Sequence, residues 1–467
     1  ASCKGSTLRE RAESLIKHMD GSEQLMRLFY QHKGLMFERE GATGSNRVSS
    51  QHLNIRCMQM FAGAFMYAAG NHIGVGYPES GNFAILNPIS DAATAPGGTR
   101  ASGDGFYFGW GTAHEIGHNI NNNRYAYAEV TNNYFAQLCK MINEGTTRFS
   151  YDAVYDRVTS GAQGRTGSVM IQLAMYWQLM LAHDTHEVYT LYDNYADLQA
   201  NRFFARVDGL ARNPGSATKA DGSALEIPLV VNAGESQNII RLASAAAKAD
   251  LTDFFVSWGL IPNAETQRFV AQFDKDPRAL QYVNDDAVKW ARANSGAAKV
   301  AGQDMVAVTQ SQDNSRITLG LSTKDATYAP SLIGYEITRL TYASGQQQKE
   351  VAGFVRAEAD GTASFVDDAA YLGNRAVQYE VKAVDKFLNY SVGAVTAQEK
   401  LNGNGRYTTE EWSVETNLVD ADSQNEGAPN EGAEDTGSDE AVEPECPAEK
   451  AELEPKPIDS ILTGEGE

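Results

Sequence analysis

The chain has 467 residues, 42% of them apolar, and a formal net charge of −21. A length of this order predicts two to four domains rather than one. From Thr409 onward 19 acidic residues face two basic ones (Lys450 and Lys456), which leaves the first 408 residues only mildly acidic, near −4. No basic stripe is present to neutralise phosphates, which excludes a nucleic-acid partner. No run approaches the ~20 consecutive apolar residues of a membrane span. The chain opens at Ala1 without a signal-peptide pattern and reads as a mature form or a piece of a longer protein.

Residues 1 to about 66 read as helical, with Leu8, Leu15, Ile16 and Met19 at helical spacing and a Leu25–Leu28–Phe29 group after them. Residues 67 to 105 are rich in Gly, Pro and Asn and predict loops with short strands, His72-Ile-Gly-Val-Gly-Tyr77 among them. Helices are predicted again from about 109 to 195. The segment Val169 to Leu181 is apolar nearly all round and predicts a buried core helix. An Ala-rich helix is predicted at Leu242–Ala249. Asp250 is a candidate cap and Gly259 a candidate stop for the next helix, which carries Phe254, Phe255 and Trp258. A last helical stretch runs from about 264 to 295.

After Lys299 the texture changes. Ile317–Leu321, Gly334–Leu340, Ala363–Val366 and Ala376–Val384 cluster β-branched and aromatic residues between turn signals, the pattern of a small all-β sandwich. Tyr379-Glu-Val-Lys-Ala-Val-Asp385, with an acidic turn expected at Asp367 and Asp368, resembles the late strand and tyrosine corner of a fibronectin type III domain over roughly 300 to 398. From Asn402 the composition is that of an acidic linker. Glu410-Glu-Trp-Ser-Val-Glu-Thr-Asn417 and Pro457-Ile-Asp-Ser-Ile-Leu462 interrupt it and resemble the opening of a galactose-binding-like carbohydrate module; a plain acidic tail is the competing reading. Cys3, Cys57, Cys139 and Cys446 form no CxxC pair, so a cysteine zinc site is not expected. Cys57 and Cys139 lie in apolar stretches and read as free and buried. Spacing alone does not decide between that and a Cys57–Cys139 or Cys3–Cys57 disulfide.

The chemistry is concentrated at His114-Glu-Ile-Gly-His118, an HExxH motif. Side chains four apart on a helix sit one turn apart on the same side, so both imidazoles can reach one metal ion. Glu115 can then address a water on that metal rather than the metal itself. Zinc lowers the pKa of such a water toward ~7, and the glutamate removes its proton and delivers it to the leaving amine. Gly109-Trp-Gly111 and Thr112 read as the loop and cap before the helix. Two histidines leave the coordination incomplete. Glu129, at the apparent start of a helix Glu129-Val-Thr-Asn-Asn-Tyr-Phe-Ala, is the candidate third ligand; the competing reading is a glutamate favoured there by the helix dipole.

These residues carry a wider resemblance. HEIGH, the Gly-Trp-Gly upstream and Glu129-Val-Thr-Asn-Asn133 downstream are similar to the M60-like (enhancin-like) zinc metallopeptidases. So are Met175-Tyr-Trp-Gln-Leu179, Phe203-Phe-Ala-Arg-Val-Asp208, Asp250-Leu-Thr-Asp-Phe-Phe255 and Trp258-Gly259, and the similarity spans about 20 to 285. The resemblance implies a gluzincin with one zinc ion on His114, His118 and Glu129 and with Glu115 as general base. It also implies a secreted or cell-surface enzyme that cuts peptide bonds beside a glycan-bearing Ser or Thr of mucin-type glycoproteins. Trp110, Arg206, Asp208, Tyr176 and Asp184 are candidates for holding the sugar, each with a competing packing or ion-pair reading. Asn132 and Asn133 are candidates for orienting the ligands. His183 and His186 flank Asp184, where a satisfied surface or cleft histidine is the stronger reading than a ligand. The expected architecture is therefore multidomain. A mainly helical α+β gluzincin-type domain spans residues 1–298, a fibronectin type III-like all-β sandwich spans 299–399, and an acidic linker spans 400–467. A monomer is expected. A peptidase without a glycan requirement and a non-catalytic glycan-binding adhesin are the alternatives.

Overall fold

A computed structural model describes residues 23–400 apart from 50–52, 59, 61–65, 71, 77–109, 314–315, 344–345, 370–371 and 373–375. The expected carbohydrate-module islands and the acidic tail lie outside the described residues, as do Cys3 and Cys446.

Residues 23–32 are helical, and Leu25, Leu28 and Phe29 are buried as their spacing predicts. The helical reading does not extend to residue 66. Asn54–Met58 (β1), Met66–Ala69 (β2) and His72–Gly76 (β3) form a sheet in the order β1-β3-β2, with β1 parallel and β2 antiparallel to β3. Tertiary pairing overrides local pattern here. Ile73 and Val75 point to one side of the central strand and are buried, while the ring of Tyr67 lies against Gly74, where a Cβ would sit 2.0 Å from it.

The helices Trp110–Ile120, Asn133–Glu144, Tyr151–Thr159 and Val169–His183 follow. Every residue from Leu173 to Leu181 is buried, as the all-round apolar run requires. Its one buried amide, Gln178, is satisfied inside the core: it donates to the Gln281 carbonyl (2.7 Å) and accepts from the Trp258 indole (3.1 Å). Ser168 caps this helix through the Ile171 N–H. Glu235–Ala247 is the Ala-rich helix. Asp250 accepts from the Thr252 N–H at the start of Thr252–Ser257, and Gly259 follows that helix at φ 80°. The expected 264–295 stretch is two helices, Ala264–Val270 and Asp285–Ala293. Cys139 is a free, buried thiol whose pKa burial pushes up.

Beyond residue 305 two antiparallel sheets face each other. One runs β4 (Val306–Asp313), β5 (Arg316–Thr323), β8 (Ala363–Asp368). The other runs β10 (Ala394–Val395), β9 (Ala376–Asp385), β6 (Leu332–Ala343), β7 (Gln346–Arg356), with β11 (Glu399–Lys400) also on β9. Ile317, Leu319 and Leu321 alternate inward and share a core with Tyr335, Ile337, Tyr379 and Val381. The acidic turn expected at Asp367 and Asp368 is instead the end of strand β8. Asp367 is buried and accepts from Arg339 (Nε, 2.7 Å) and the Tyr379 hydroxyl (2.6 Å), so that hydroxyl meets a carboxylate rather than a backbone carbonyl.

The sheets and the helical body share hydrophobic core. Ile333, Phe354, Val384 and Leu388 belong to the same cluster as the buried residues of the helices, and the rings of Tyr282 and Phe354 stack with centroids 3.9 Å apart. Among the described residues no helix is long and apolar enough to cross a membrane.

Candidate metal centre

The HExxH motif occupies the middle of the helix Trp110–Ile120. Trp110, Gly111 and Thr112 are its first turn rather than a loop and cap. Ala113 and Ile116 are wholly buried on the inner side, which leaves His114, Glu115 and His118 on faces that are partly open. The imidazoles of His114 and His118 stand 4.9 Å apart, nearly perpendicular. Ligand atoms of His114, Glu115 and His118 all lie within 4.8 Å of one another, the one such cluster among the described residues.

Glu129 does not begin a helix. It sits in a turn at φ 62°, and the helix starts at Asn133. Asn, Asp and His are the non-glycine residues that tolerate this left-handed region, so a glutamate held there is a strained position. The turn brings one carboxylate oxygen 3.2 Å from His114 Nε2 and the other 3.4 Å from His118 Nε2. Asn133 ties the arrangement from behind: its amide donates to the Glu129 carbonyl (2.6 Å), and its side-chain oxygen lies 2.7 Å from His114 Nδ1. That contact holds the ring by Nδ1 and turns Nε2 toward the Glu129 carboxylate. The amide nitrogen of Asn132, fully buried, lies 3.0 Å from Nε2 of both histidines.

The glycine of the motif has a packing reason. A Cβ at Gly117 would lie 2.5 Å from the Asn132 carbonyl oxygen and 2.7 Å from its Cα. Only a residue without a side chain lets the 129–133 segment approach the motif helix closely enough to deliver Glu129.

The electrostatics follow from this crowding. Hydrogen bonds from His114 and His118 hold the Glu129 carboxyl below the usual carboxylate range, against a smaller effect of burial. Burial alone would lower His114. Its hydrogen bonds to Glu129 and Asn133 and the charges of Glu129 and Glu115 outweigh that, so its pKa is raised. Burial raises Glu115, offset only in part by the two imidazoles, and its carboxylate also meets the backbone of Ala68 on β2. His114, His118 and Glu129 offer the donor types, two imidazole nitrogens and a carboxylate, that a three-ligand zinc site with one open position uses.

The remaining sequence candidates are dispersed. Trp110 is half-buried, with the Arg148 guanidinium 4.5 Å over its ring. Tyr176 is buried in the core helix, where its hydroxyl accepts from Arg165 (3.2 Å). Asp184 is buried, pairs with Arg202 and accepts from the Phe203 N–H. Asp208 is wholly buried and pairs with Lys33 (2.9 Å) and the Tyr125 hydroxyl (2.6 Å), not with Arg206. Arg206 donates to the carbonyls of Gln199, Ala200 and Ala246. These carboxylates and the tyrosine have no free face for a sugar, because their polar atoms are already committed inside the fold. His183 is stacked on Phe203 and receives Arg278, and His186 meets Thr185 and Tyr192, so neither is a ligand in a cluster with Asp184. Tyr127 and Arg165, whose ring and guanidinium meet 4.1 Å apart, carry no motif in the sequence. The only signal was a lone arginine in the glycine-rich stretch 160–167.

A family model described as peptidase M60, enhancin and enhancin-like, matches residues 17–259. No curated protein sequence matches the chain. Among solved structures, the M60 catalytic domain of Clostridium perfringens ZmpC, in complex with the sialyl T antigen, is 20% identical. It aligns over 81% of this chain and 63% of its own, with a TM-score of 0.53. The catalytic module of the metalloprotease ZmpA from the same organism is 20% identical over 82% of this chain and 62% of its own, with a TM-score of 0.51. At this identity the likeness concerns the fold, and the chain spans less than two thirds of either structure.

Proposed function

Because the chain belongs to the M60 (enhancin and enhancin-like) peptidase family, we propose that it is a zinc metalloendopeptidase acting on O-glycosylated, mucin-type proteins beside a glycan-bearing Ser or Thr. The observation that carries the peptidase reading is the convergence of His114, His118 and Glu129, with Glu115 alongside on the motif helix. His114, His118 and Glu129 are the residues that would hold one zinc ion. The chemistry a bound zinc supplies is Lewis acidity toward water and the scissile carbonyl. Glu115 takes the proton of the attacking water and passes it to the leaving amine. Asn133 holds the His114 ring by Nδ1 so that Nε2 faces Glu129, and the Asn132 amide lies beside both Nε2 atoms.

The glycan requirement rests on the family and on ZmpC, whose structure contains the sialyl T antigen. Trp110 is the sequence candidate best disposed for it, being half-buried at the start of the motif helix. The same reading takes residues 1–298 as the catalytic domain and 299–399 as a fibronectin type III-like domain. The strand order β4-β5-β8 against β10-β9-β6-β7 supports the latter. Residues 400–467 are then an acidic linker, and the enzyme is a monomer that works outside the cell. A peptidase with no glycan requirement is the second reading, favoured by the burial of Tyr176, Asp184 and Asp208.

Digestion of one mucin-type O-glycopeptide and its bare counterpart by zinc-loaded protein, read by mass spectrometry, tests the proposal. Cleavage beside the glycosylated residue of the first peptide alone is expected. Equal cleavage of both would remove the glycan and leave the peptidase.

A further inference from the structure

Two residues that the chemistry above does not use meet directly behind the metal-binding turn. Tyr127 opens the turn that presents Glu129. Its carbonyl accepts from the N–H groups of Val130 (3.1 Å) and Thr131 (2.9 Å), and its own N–H donates to the Thr131 hydroxyl (3.1 Å). The whole turn is thus hung on the position of Tyr127. Over the ring of Tyr127, 4.1 Å from its centroid, lies the guanidinium of Arg165. Arg165 also donates to the Tyr176 hydroxyl, which is fixed in the core helix.

Arg165 is itself anchored. The Gly164 N–H donates to the Gly259 carbonyl (2.8 Å), and Arg157 donates to the carbonyls of Gly164 (2.9 Å) and Trp258 (2.6 Å). Gly164 and Gly259 both have positive φ, and a Cβ at Gly259 would lie 2.9 Å from the Gly164 oxygen, so the loop and the 259 turn are pressed together. A rigid point in the core is thereby linked through one cation to one aromatic ring, and through that ring to a strained glutamate. Strain at Glu129 persists only if the surroundings hold it, and a partly desolvated cation over an aromatic face supplies such a hold.

We propose that Arg165 is a positioning residue for the metal site: stacked on Tyr127, it locks the 127–131 turn so that Glu129 faces His114 and His118. The inference rests on the zinc reading of that site. Removing the guanidinium frees the turn, and the third ligand then has to be ordered when the metal binds. That cost appears as weaker zinc affinity, with substrate affinity little changed.

The test is zinc affinity by chelator competition, with thermal unfolding of the metal-free proteins alongside. Wild type, Arg165→Ala, Arg165→Lys, Tyr127→Ala and Tyr127→Phe are compared. Arg165→Ala and Tyr127→Ala should each weaken zinc binding about 10-fold, the lower end of what outer-shell partners contribute. Tyr127→Phe keeps the ring and should bind like wild type, and Arg165→Lys should recover part of the loss. The Arg165→Ala, Tyr127→Ala double variant should lose no more than either single one, because both remove the same contact. Unchanged zinc affinity in Arg165→Ala would overturn the inference while leaving the zinc site standing. A raised KM with unchanged zinc affinity would make Arg165 a substrate contact and overturn it as well. A fall in unfolding temperature with unchanged affinity would reduce Arg165 to a scaffold residue. Absence of zinc binding in the wild type would remove the proposed function and the inference together.

Discussion

Glu129 sits at φ 62°, a region that costs a residue with a β-carbon about 1–3 kcal/mol. Such a conformation persists where a function holds it in place, and both carboxylate oxygens reaching the histidines is the function available here. Glu129→Asn substitutes a residue that tolerates this region but is too short to span the same gap. The loop should therefore survive, with an unfolding temperature close to wild type in the metal-free protein. Zinc affinity should fall by more than the ~10–100-fold typical of an outer-shell partner; full metal occupancy in this variant at wild-type affinity would reassign the third ligand. The adjacency of His114 and His118 was legible from spacing alone, because helix geometry leaves a four-residue step only one relative orientation. The backbone state of Glu129 was not. Nothing in Glu129-Val-Thr-Asn-Asn133 marks a turn against a helix start, and Arg206 and Asp208 are not sugar-facing because each has partners inside the fold, Ala246 for Arg206 and Lys33 and Tyr125 for Asp208.

At the scale of elements, the site is a contact between the motif helix and the 129–133 segment, with Gly117 as the point of closest approach. Gly117→Ala improves intrinsic helix propensity yet drives a methyl into the Asn132 backbone. Overpacking of this kind costs about 1–3 kcal/mol, so the urea midpoint should fall and zinc affinity with it. A variant stabilised by the alanine would show that the segment moves freely and does not set the site. Periodicity gave the core helix its burial correctly, since Leu173–Leu181 has no polar stripe to expose. Periodicity misled at Asn54–Met58, where the partner strand β3, which follows β2 in sequence, decides the structure. Strands β4 and β7 also escaped notice, because their polar residues dilute the β-branched signal.

At the scale of the whole molecule, elements distant in sequence are joined by buried polar groups and by aromatic contacts. His32 bonds the Tyr134 hydroxyl and the Val188 carbonyl; burial, then the Arg202 charge, place its pKa well below 6.5. His183 is lowered to about 3, by burial first and then by Arg278. Both are neutral in the native state over a range in which an unfolded histidine, with a pKa of about 6.5, takes up a proton. The unfolded chain therefore binds more protons below that pH, and stability falls as pH drops from 7 toward 5. The fall should be smaller in His183→Gln than in wild type when urea midpoints are compared at the two pH values. Equal falls would mean that His183 titrates alike in both states.

The stacked rings of Tyr282 and Phe354, with Tyr155 against the latter, weld the sheets to the helical body. Truncating a buried phenylalanine costs about 3–5 kcal/mol. Phe354→Ala should therefore lower the denaturant midpoint of zinc release together with that of the sheets, as one transition. An unchanged midpoint for zinc release would make the sheets an independent unit. The all-β texture was legible in the sequence. The junction was not, because nothing local distinguishes Phe354 from a residue of the sandwich's own core.

In the proposed mechanism, a zinc site on His114, His118 and Glu129 works with Glu115 as the base. Its most direct test is the cleavage rate of Glu115→Gln at measured zinc content. The amide matches the carboxylate in shape but cannot take a proton. The variant should carry one zinc per chain, as the wild type does, and cleave the glycopeptide at least ~10²–10⁴-fold more slowly. Cleavage at the wild-type rate by the zinc-loaded variant would contradict the account.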